Sequence, residues 1–357
     1  MSYILTIVGA RPQFIKAAIV SKALTKIGLD EKIIHTGQHY DHQMSTVFWE
    51  ELNIPIPISN LGVGSGNHGE QTGKMLQKLE ASILNQAEIP LALLVYGDTN
   101  STLAGAIVAS KLQIPVIHVE AGLRSYNKKM PEEVNRIMTD HVSDILFCSS
   151  EEGVNQLKKE NIINGVYNVG DVMYDALIKF SEIAKDRLSL TDIAKLNKND
   201  FILTTLHRPS NTENVDNLNN ILDAFSKIDA PIFWPVHPRI KTRIQNYNLP
   251  PNLILSNPVS YFEMLILLDN CNKVITDSGG LQKEAYWMKK QCITVREETE
   301  WTETLIGGWN TLVGANCTKI INYISTEPST EWKTLYGNGT AAKQIAEIID
   351  LTYNPFE

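Results

Sequence analysis

Short, continuous apolar runs alternate with amphipathic stretches along almost the whole chain, and this alternation is what most constrains the fold. Uninterrupted runs of Val, Ile and Leu are typical of strands buried on both faces of a parallel sheet. Helical patterns lie between them, for example at 14–27 and 99–112. The predicted strands are 4–8, 33–36, 92–96, 116–119, 145–148 and 166–169, followed by 201–205, 232–236, 253–255, 274–276, 292–295 and 311–313.

Two such β/α series of similar length predict two doubly wound domains that face each other across a cleft. A chain of 357 residues is also longer than one typical domain. The crossover is expected near Gly170 and Asp171, where a strand gives way to a helix at 172–184. The sequence therefore predicts an α/β protein with two parallel sheets.

Composition excludes several classes of protein. Apolar residues make up 43% of the chain and charged residues 20%, as in ordinary globular proteins. The net charge of −8 argues against general nucleic-acid binding but permits one nucleotide in a local basic pocket.

No apolar run approaches the roughly 20 residues that cross a bilayer. The first residues read as a strand rather than a signal peptide, and the scattered cysteines indicate reduced thiols. We expect a cytoplasmic protein that does not bind membranes.

The stretch NKVITDSGGLQKEA contains a candidate ligand site. A strand that turns through Ser278, Gly279 and Gly280 into a helix leaves backbone N–H groups at the positive end of the helix dipole, where a phosphate can approach closely. Glu284, one turn into the helix, is placed to accept hydrogen bonds from ribose hydroxyls. Short glycine motifs are common, so an ordinary strand-to-helix turn remains the alternative.

Charged residues follow three strands of the first half, at the edge where open α/β sheets bind ligands. Arg11 and Lys16 lie around the start of the first helix, where the alternative is a solvated surface position. Asp98 follows the third strand, where a cap or turn role is the alternative. Glu120 directly follows a buried apolar run. A solvated surface position is therefore a weaker alternative for Glu120.

The segment MPEEVNR begins another helix, with Pro131 in its first turn. Glu132 and Glu133 come next, and Arg136 lies one turn after Glu132. Acidic residues in a first turn suit the positive end of the helix dipole. A structural role is therefore the alternative to a catalytic one.

Two strand ends of the second half carry histidine and arginine. LHRP contains His207 and Arg208, and VHPR contains His237 and Arg239. A single histidine at a strand end is more often structural than catalytic, but two such ends beside the Ser-Gly-Gly turn provide several cationic and hydrogen-bonding groups. This arrangement predicts a phosphorylated ligand anchored by the second domain, with its reacting carbon presented to the carboxylates of the first.

The spacing of His35, His39 and His42 would let two of them share one helix face, as in some metal sites. No cysteine or distant carboxylate is tied to them by spacing. We therefore expect no metal.

Taken together, these stretches resemble the non-hydrolysing UDP-N-acetylglucosamine 2-epimerases. The resemblance runs nearly end to end, through nine segments in family order: GARPQFIK, HTGQHYD, VYGDTNST, HVEAGLRS, PEEVNR, LHRPSNTEN, VHPR, TDSGGLQKEA and GWN-x-LVG. It implies a glycosyltransferase-B-like fold of two Rossmann-like domains, 1–170 with 338–357 and 171–337, with the helix at 341–351 packed on the first. It also implies a homodimer that binds a UDP-sugar and needs no metal or nicotinamide cofactor.

The resemblance assigns roles to individual residues. Asp98, Glu120 and Glu132 match the family's three catalytic carboxylates, and His207 matches its cleft histidine. The resemblance assigns substrate or UDP binding to Arg11, Lys16, Arg136, His237, Ser278, Gly279, Gly280 and Glu284. In the implied mechanism a carboxylate removes H2 of the sugar while UDP leaves from C1, giving a bound 2-acetamidoglucal. UDP then adds back, with protonation of C2 from the opposite face.

The chain departs from the commonest form of the family in three segments. It has GARPQ for GTRPE, VYGDTNST for VHGDTTTT, and Trp301 where many members have arginine. These variants resemble the branch that acts on UDP-2,3-diacetamido-2,3-dideoxy-glucuronate, an O-antigen or capsule precursor. Such a uronate needs an extra cation near C6, and the candidates are Lys128, Lys129, Arg208 and Arg296.

Several alternatives remain open at this point. UDP-N-acetylglucosamine is the alternative substrate. A retaining glycosyltransferase of the same fold would also hold UDP at a Ser-Gly-Gly turn, but it has no need of three acids around one sugar carbon. A hydrolysing epimerase and a catalytically silent nucleotide-sugar sensor are further alternatives.

Overall fold

The computed structural model describes residues 3–38, 52, 54–245 and 247–353, apart from the side chains of residues 238 and 239. The chain divides into two compact units, Met1–Ala176 with Leu335–Glu357, and Leu177–Thr334. The family resemblance predicts the two domain boundaries at 170/171 and 337/338. Each unit is built on one parallel sheet.

The first unit contains a seven-stranded sheet in the order β3-β2-β1-β4-β5-β6-β7. Its strands are β1 (Tyr3–Val8), β2 (Asp30–His35), β3 (Ser59–Asn60), β4 (Ala92–Tyr96), β5 (Val116–Ala121), β6 (Ile145–Cys148) and β7 (Val166–Asn168). Its helices are α1 (Arg11–Lys26), α2 (His68–Leu84), α3 (Asn100–Lys111), α4 (Pro131–Val142), α5 (Glu151–Lys159) and the start of α6 (Val172–Arg187).

The second unit contains a six-stranded sheet in the order β10-β9-β8-β11-β12-β13. Its strands are β8 (Ile202–Thr205), β9 (Ile232–Pro235), β10 (Leu253–Ser256), β11 (Lys273–Thr276), β12 (Gln291–Thr294) and β13 (Asn310–Leu312). Its helices are α7 (Leu190–Ile193), α8 (Pro209–Thr212), α9 (Val215–Ser226), α10 (Pro238–Ile244), α11 (Tyr261–Asn270), α12 (Gly279–Trp287), a 3₁₀ segment (Thr302–Gly308) and α13 (Cys317–Ile324). The last helix of the chain, α14 (Ala341–Tyr353), belongs to the first unit and packs against α1.

Both sheets have the strand order of a Rossmann fold, in which the direction of winding reverses beside the first strand. The reversal falls between β1 and β4 in the first unit and between β8 and β11 in the second. All pairings within both sheets are parallel. The predicted α/β fold with two doubly wound domains is confirmed.

The uninterrupted apolar runs are explained by cores on both faces of each sheet. In the second unit, Ile275 and Ile293 pack into a cluster on one face, whereas Val274 and Cys292 pack into a second cluster on the other. Successive side chains of a strand point to opposite faces, so the central residues of these strands are apolar on both faces. Burying each such side chain contributes roughly 1.5–3 kcal/mol, which makes these strands the stable frame for the loops at their ends.

The described helices include none that is long and apolar enough to cross a bilayer. The short strand β3 was not predicted, because a two-residue strand is too short to produce an apolar run. Its backbone is held by pairing with β2, where Ser59 lies opposite Ile34 and Asn60 opposite His35.

Candidate functional site

Glu120 lies in a strained backbone conformation at the end of β5. The strand bulges between Val119 and Ala121, so Glu120 is the extra residue and has φ +74°. This left-handed region is unfavourable for a residue with a β-carbon, and residues held in it cluster at functional sites. The Glu120 carboxylate is largely buried and forms an ion pair with the buried Lys16 of α1. The structure thus brings together two predicted site residues from β5 and α1.

Asp98 follows β4, the strand next to β5. Its carboxylate is partly exposed and pairs with Arg136 of α4, and its carbonyl oxygen accepts a 2.9 Å hydrogen bond from Asn135 Nδ2. A β-carbon placed on the preceding Gly97 would lie 3.3 Å from Glu120 Oε2 and 3.5 Å from Lys16 Nζ. The two carboxylate-bearing turns are therefore neighbours at one edge of the sheet.

The two glutamates of MPEEVNR have different environments. Glu133 is buried and accepts hydrogen bonds from the backbone N–H of Ser125 at 2.9 Å and of Tyr126 at 2.8 Å, and from Arg136 at 3.1 Å. It holds the preceding loop against α4. Glu132 is exposed in the first turn of α4. Arg11, the first residue of α1, is half-buried at the end of β1.

The Ser-Gly-Gly turn of the second unit begins helix α12. Ser278 Oγ caps the helix by accepting a hydrogen bond from the N–H of Leu281 at 3.4 Å. A β-carbon on Gly279 would lie 2.8 Å from Glu300 Oε1, whereas one on Gly280 would meet nothing within 4 Å. The start of the helix is thus closed by Glu300 beside Gly279 and open at Gly280, where an anion could reach the backbone N–H groups. Glu284 is buried on the same helix.

Asp277 links this turn to His207. Its carboxylate is fully buried and accepts hydrogen bonds from the backbone N–H of His207 and Arg208, each at 3.0 Å, and from Asn211 Nδ2 at 3.0 Å. His207 Nδ1 lies 3.0 Å from Asp277 Oδ1. Burial raises the pKa of Asp277, but its bonds to His207, Asn211 and Arg208 outweigh burial, so the net pKa is lowered.

His237 is exposed at the end of β9, which pairs with β8. His207, His237 and Ser278 therefore follow three neighbouring parallel strands and share one edge of the second sheet. Two of these strands, β8 and β11, flank the point where the winding reverses, which is where such sheets bind ligands.

The sequence model of the UDP-N-acetylglucosamine 2-epimerase family matches residues 22–350. The chain belongs to this family. It is 49% identical over 355 residues to a UDP-N-acetylglucosamine 2-epimerase homolog of Methanococcus maripaludis, covering 97% of this chain and 99% of that relative. It is 46% identical over 356 residues to UDP-2,3-diacetamido-2,3-dideoxy-D-glucuronate 2-epimerase of Pseudomonas aeruginosa, with 97% and 99% covered.

Solved structures of epimerases share the fold. The crystal structure of Methanocaldococcus jannaschii UDP-GlcNAc 2-epimerase in complex with UDP-GlcNAc and UDP superimposes with a TM-score of 0.88 at 41% identity, covering 97% of this chain and 99% of that one. The predicted family and its glycosyltransferase-B-like fold are confirmed. As a member of this family of 2-epimerases, the protein is an isomerase.

Of the three histidines considered for a metal, only His35 lies within the described residues, and its ring packs 5.2 Å from that of Phe14. His39 and His42 lie outside the described residues. In the described part of this epimerase, no three His, Cys, Asp or Glu side chains are arranged to hold a metal ion.

Sequence reasoning missed the residues that hold the candidate site groups in place. Asp277, Asn211 and Glu133 act through backbone and side-chain hydrogen bonds that depend on tertiary contacts. One signal was available for Asp277, because a carboxylate directly after a buried apolar run needs partners. His118 offered a related indication, because a histidine inside the apolar run of β5 also needs hydrogen-bond partners.

Proposed function

We propose that this epimerase inverts C2 of a UDP-linked 2-acetamido sugar by eliminating and re-adding UDP. The observation that carries the proposal is the position of Glu120, a largely buried carboxylate held at φ +74° beside the Asp98 turn and paired with Lys16. C2 bears an acetamido group and has no carbonyl neighbour, so removing H2 requires a placed base and a departing anion at C1.

In this proposal the first unit supplies the groups that act on the sugar. Asp98, Glu120 and Glu132 exchange protons with the two faces of C2, while Arg11, Lys16 and Arg136 bind the substrate. The ion pairs of Glu120 with Lys16 and of Asp98 with Arg136 support this assignment. Glu132 is the one exposed carboxylate of the three.

The second unit supplies the UDP site. The open start of α12 at Gly280 leaves room for the diphosphate, whose negative charge the helix N-terminus stabilises as UDP departs from C1. Ser278, Gly279, Glu284 and His237 complete the nucleotide site, and His207 acts beside the leaving diphosphate. The M. jannaschii relative solved in complex with UDP-GlcNAc and UDP supports a UDP-sugar as the ligand.

We propose UDP-2,3-diacetamido-2,3-dideoxy-glucuronate as the substrate, as for the P. aeruginosa relative. Arg208 and Arg296 line one cavity of about 380 Å³ in the second unit. Arg296 is buried and pairs through Nη2 with Glu300 at 3.0 Å, while its buried Nη1 has no hydrogen-bond partner in the described part of the chain. A buried guanidinium N–H without an acceptor is unfavourable, and a substrate carboxylate would satisfy it. The exposed Lys128 and Lys129 offer no such site.

UDP-N-acetylglucosamine is the second candidate substrate, because the M. jannaschii enzyme was solved with it. We further propose that the protein acts as a cytoplasmic homodimer in the synthesis of an O-antigen or capsule polysaccharide, and that it needs no metal or nicotinamide cofactor.

The test is to incubate the enzyme with each UDP-sugar in D₂O and to follow C2 by NMR. Deuterium entering C2 of the intact UDP-sugar is the expected result, with faster exchange for the uronate. Release of free sugar would indicate a hydrolysing epimerase. The absence of exchange with both substrates would contradict the proposed function.

A further inference from the structure

A buried ion pair joins the two carboxylate-bearing turns of the first unit. His118 lies in the middle of β5 and is fully buried. Its Nε2 lies 2.7 Å from the carbonyl oxygen of Gly97, and its Nδ1 lies 2.7 Å from Asp140 Oδ1. We infer that His118 and Asp140 are a positioning pair that holds Asp98 and Glu120 in the geometry needed for proton transfer. This inference rests on the proposed function.

The hydrogen bonds require a proton on both ring nitrogens of His118. A carbonyl oxygen such as that of Gly97 can only accept, and an ionised carboxylate can also only accept. Asp140 also accepts hydrogen bonds from Arg124 Nη1 and from the N–H of Gly122, as an ionised carboxylate does. Both bonds of His118 are therefore made by an imidazolium, a cation enclosed between two acceptors.

The surrounding charges make this buried cation tolerable. Asp140 Oδ2 accepts a 2.6 Å hydrogen bond from Arg124 Nη1, and Arg124 in turn makes a two-pronged contact with Glu160 at 2.8 and 2.7 Å. The four groups alternate in sign and sum to zero. Buried charges persist when they are paired and hydrogen-bonded in this way.

Each end of the pair contacts the backbone next to one candidate catalytic carboxylate. The Gly97 carbonyl belongs to the peptide bond that leads into Asp98, and Gly97 has φ +63°. Asp140 Oδ2 accepts a 3.2 Å hydrogen bond from the N–H of Gly122, two residues after Glu120. A strained residue such as Glu120 keeps its conformation only where its surroundings over-determine it. The pair provides such a restraint on both turns at once.

A positioning role predicts a loss of turnover without a loss of nucleotide binding. Displacing a catalytic group by about 1 Å lowers the rate by roughly 10²-fold. We expect His118→Leu to lower kcat for C2 exchange by about 10²-fold while UDP binding is unchanged. His118→Gln keeps one N–H donor for the Gly97 carbonyl, so it should retain more activity than His118→Leu.

The experiment combines these variants with Asp140→Asn and with a matched control, Ile117→Ala. Ile117 is fully buried on the same strand but has no polar side chain. Its truncation tests whether destabilising β5 alone lowers kcat. Exchange at C2, UDP binding by calorimetry and thermal unfolding are measured for each variant that folds. Ring ¹H–¹⁵N spectra of the wild type and of Asp140→Asn report the protons of His118.

Two N–H signals from His118 in the wild type, one of which disappears in Asp140→Asn, would support the pair. The inference is overturned if the wild-type ring carries one proton, if His118→Leu keeps a normal kcat, or if Ile117→Ala loses as much turnover at equal stability. The ring spectra remain decisive if the His118 variants do not fold. A wild type without C2 exchange would instead reject the proposed function, and the ring spectra would still test the pair.

Discussion

Asp277 Oδ1 lies 3.0 Å from His207 Nδ1 and joins the ends of β11 and β8, the two strands between which the winding of the second sheet reverses. A carboxylate that accepts a hydrogen bond from Nδ1–H fixes both the tautomer and the orientation of an imidazole. The other ring nitrogen, Nε2, is then the one presented to a ligand. The buried Asp277 thus orients the exposed ring of His207, which the proposed function places at the nucleotide-sugar.

Asp277→Asn should lower turnover, because an amide does not select the same tautomer of His207. We expect kcat for C2 exchange to fall by about 10- to 10²-fold and the free energy of unfolding by roughly 2–4 kcal/mol, since several N–H groups lose a charged acceptor. Exchange by NMR and urea unfolding measure the two effects. Asp223→Asn, on the exposed face of α9, is the control. Near-normal turnover would remove Asp277 from the mechanism.

The same carboxylate should make stability depend on pH. Its pKa is lower in the folded protein than the ordinary aspartate value of about 3.9. A lowered pKa contributes stability that is complete above the unfolded value and is lost as pH falls through the folded value. The difference in unfolding free energy between wild type and Asp277→Asn should therefore be constant from about pH 7 to pH 5 and shrink below about pH 4. A constant difference down to pH 3 would contradict the lowered pKa.

Asp98→Asn and Glu120→Gln should abolish exchange while retaining UDP binding. General acid–base catalysis contributes roughly 10²–10⁴-fold, and neither side chain belongs to the unit that carries the Ser-Gly-Gly turn. Exchange in D₂O and UDP calorimetry separate the two effects. Glu132→Gln should be measured in the same series, because Glu132 is the third predicted catalytic carboxylate and is exposed. A variant that exchanges at a near-normal rate identifies a carboxylate that does not act on C2.

Gly280→Ala should separate folding from UDP binding. A β-carbon at Gly280 meets nothing within 4 Å, and alanine is favoured over glycine in a helix by about 1 kcal/mol, so we expect unchanged or slightly higher stability. The same methyl group would occupy the space proposed for the diphosphate and weaken UDP binding by about tenfold or more. Thermal unfolding and calorimetry measure both quantities.

Gly279→Ala is the contrasting variant. Its β-carbon would clash with Glu300, so the substitution should lower the stability of the protein. Unchanged UDP affinity in Gly280→Ala would place the diphosphate elsewhere.

Arg296→Lys should change substrate preference. Lysine keeps the positive charge but cannot reproduce the planar guanidinium that pairs with Glu300 and presents Nη1. We expect kcat/KM for the diacetamido uronate to fall by about tenfold, or roughly 1.4 kcal/mol, with little change for UDP-N-acetylglucosamine. Lys128→Ala, at an exposed cation, is the control. Equal losses for both substrates would assign Arg296 to UDP rather than to the uronate.

The sequence by itself determined the fold class, because the central residues of strands such as β11 and β12 are buried on opposite faces of the sheet and are therefore apolar on both. It also placed Asp98, Glu120 and the Ser-Gly-Gly turn at strand ends, since a chain that leaves a buried strand must turn at that edge. The family followed from nine ordered segments, which together are more specific than any single motif.

Only the tertiary structure decided how those residues are held. The bulge that places Glu120 at φ +74°, the Asp277 bond to His207 and the His118–Asp140 pair each join residues that are at least 22 positions apart or depend on strand register. The structure also separated Glu133, buried in loop contacts, from the exposed Glu132 beside it. Hydrogen bonds between distant groups form only after packing brings them together, so local sequence patterns carry little information about them.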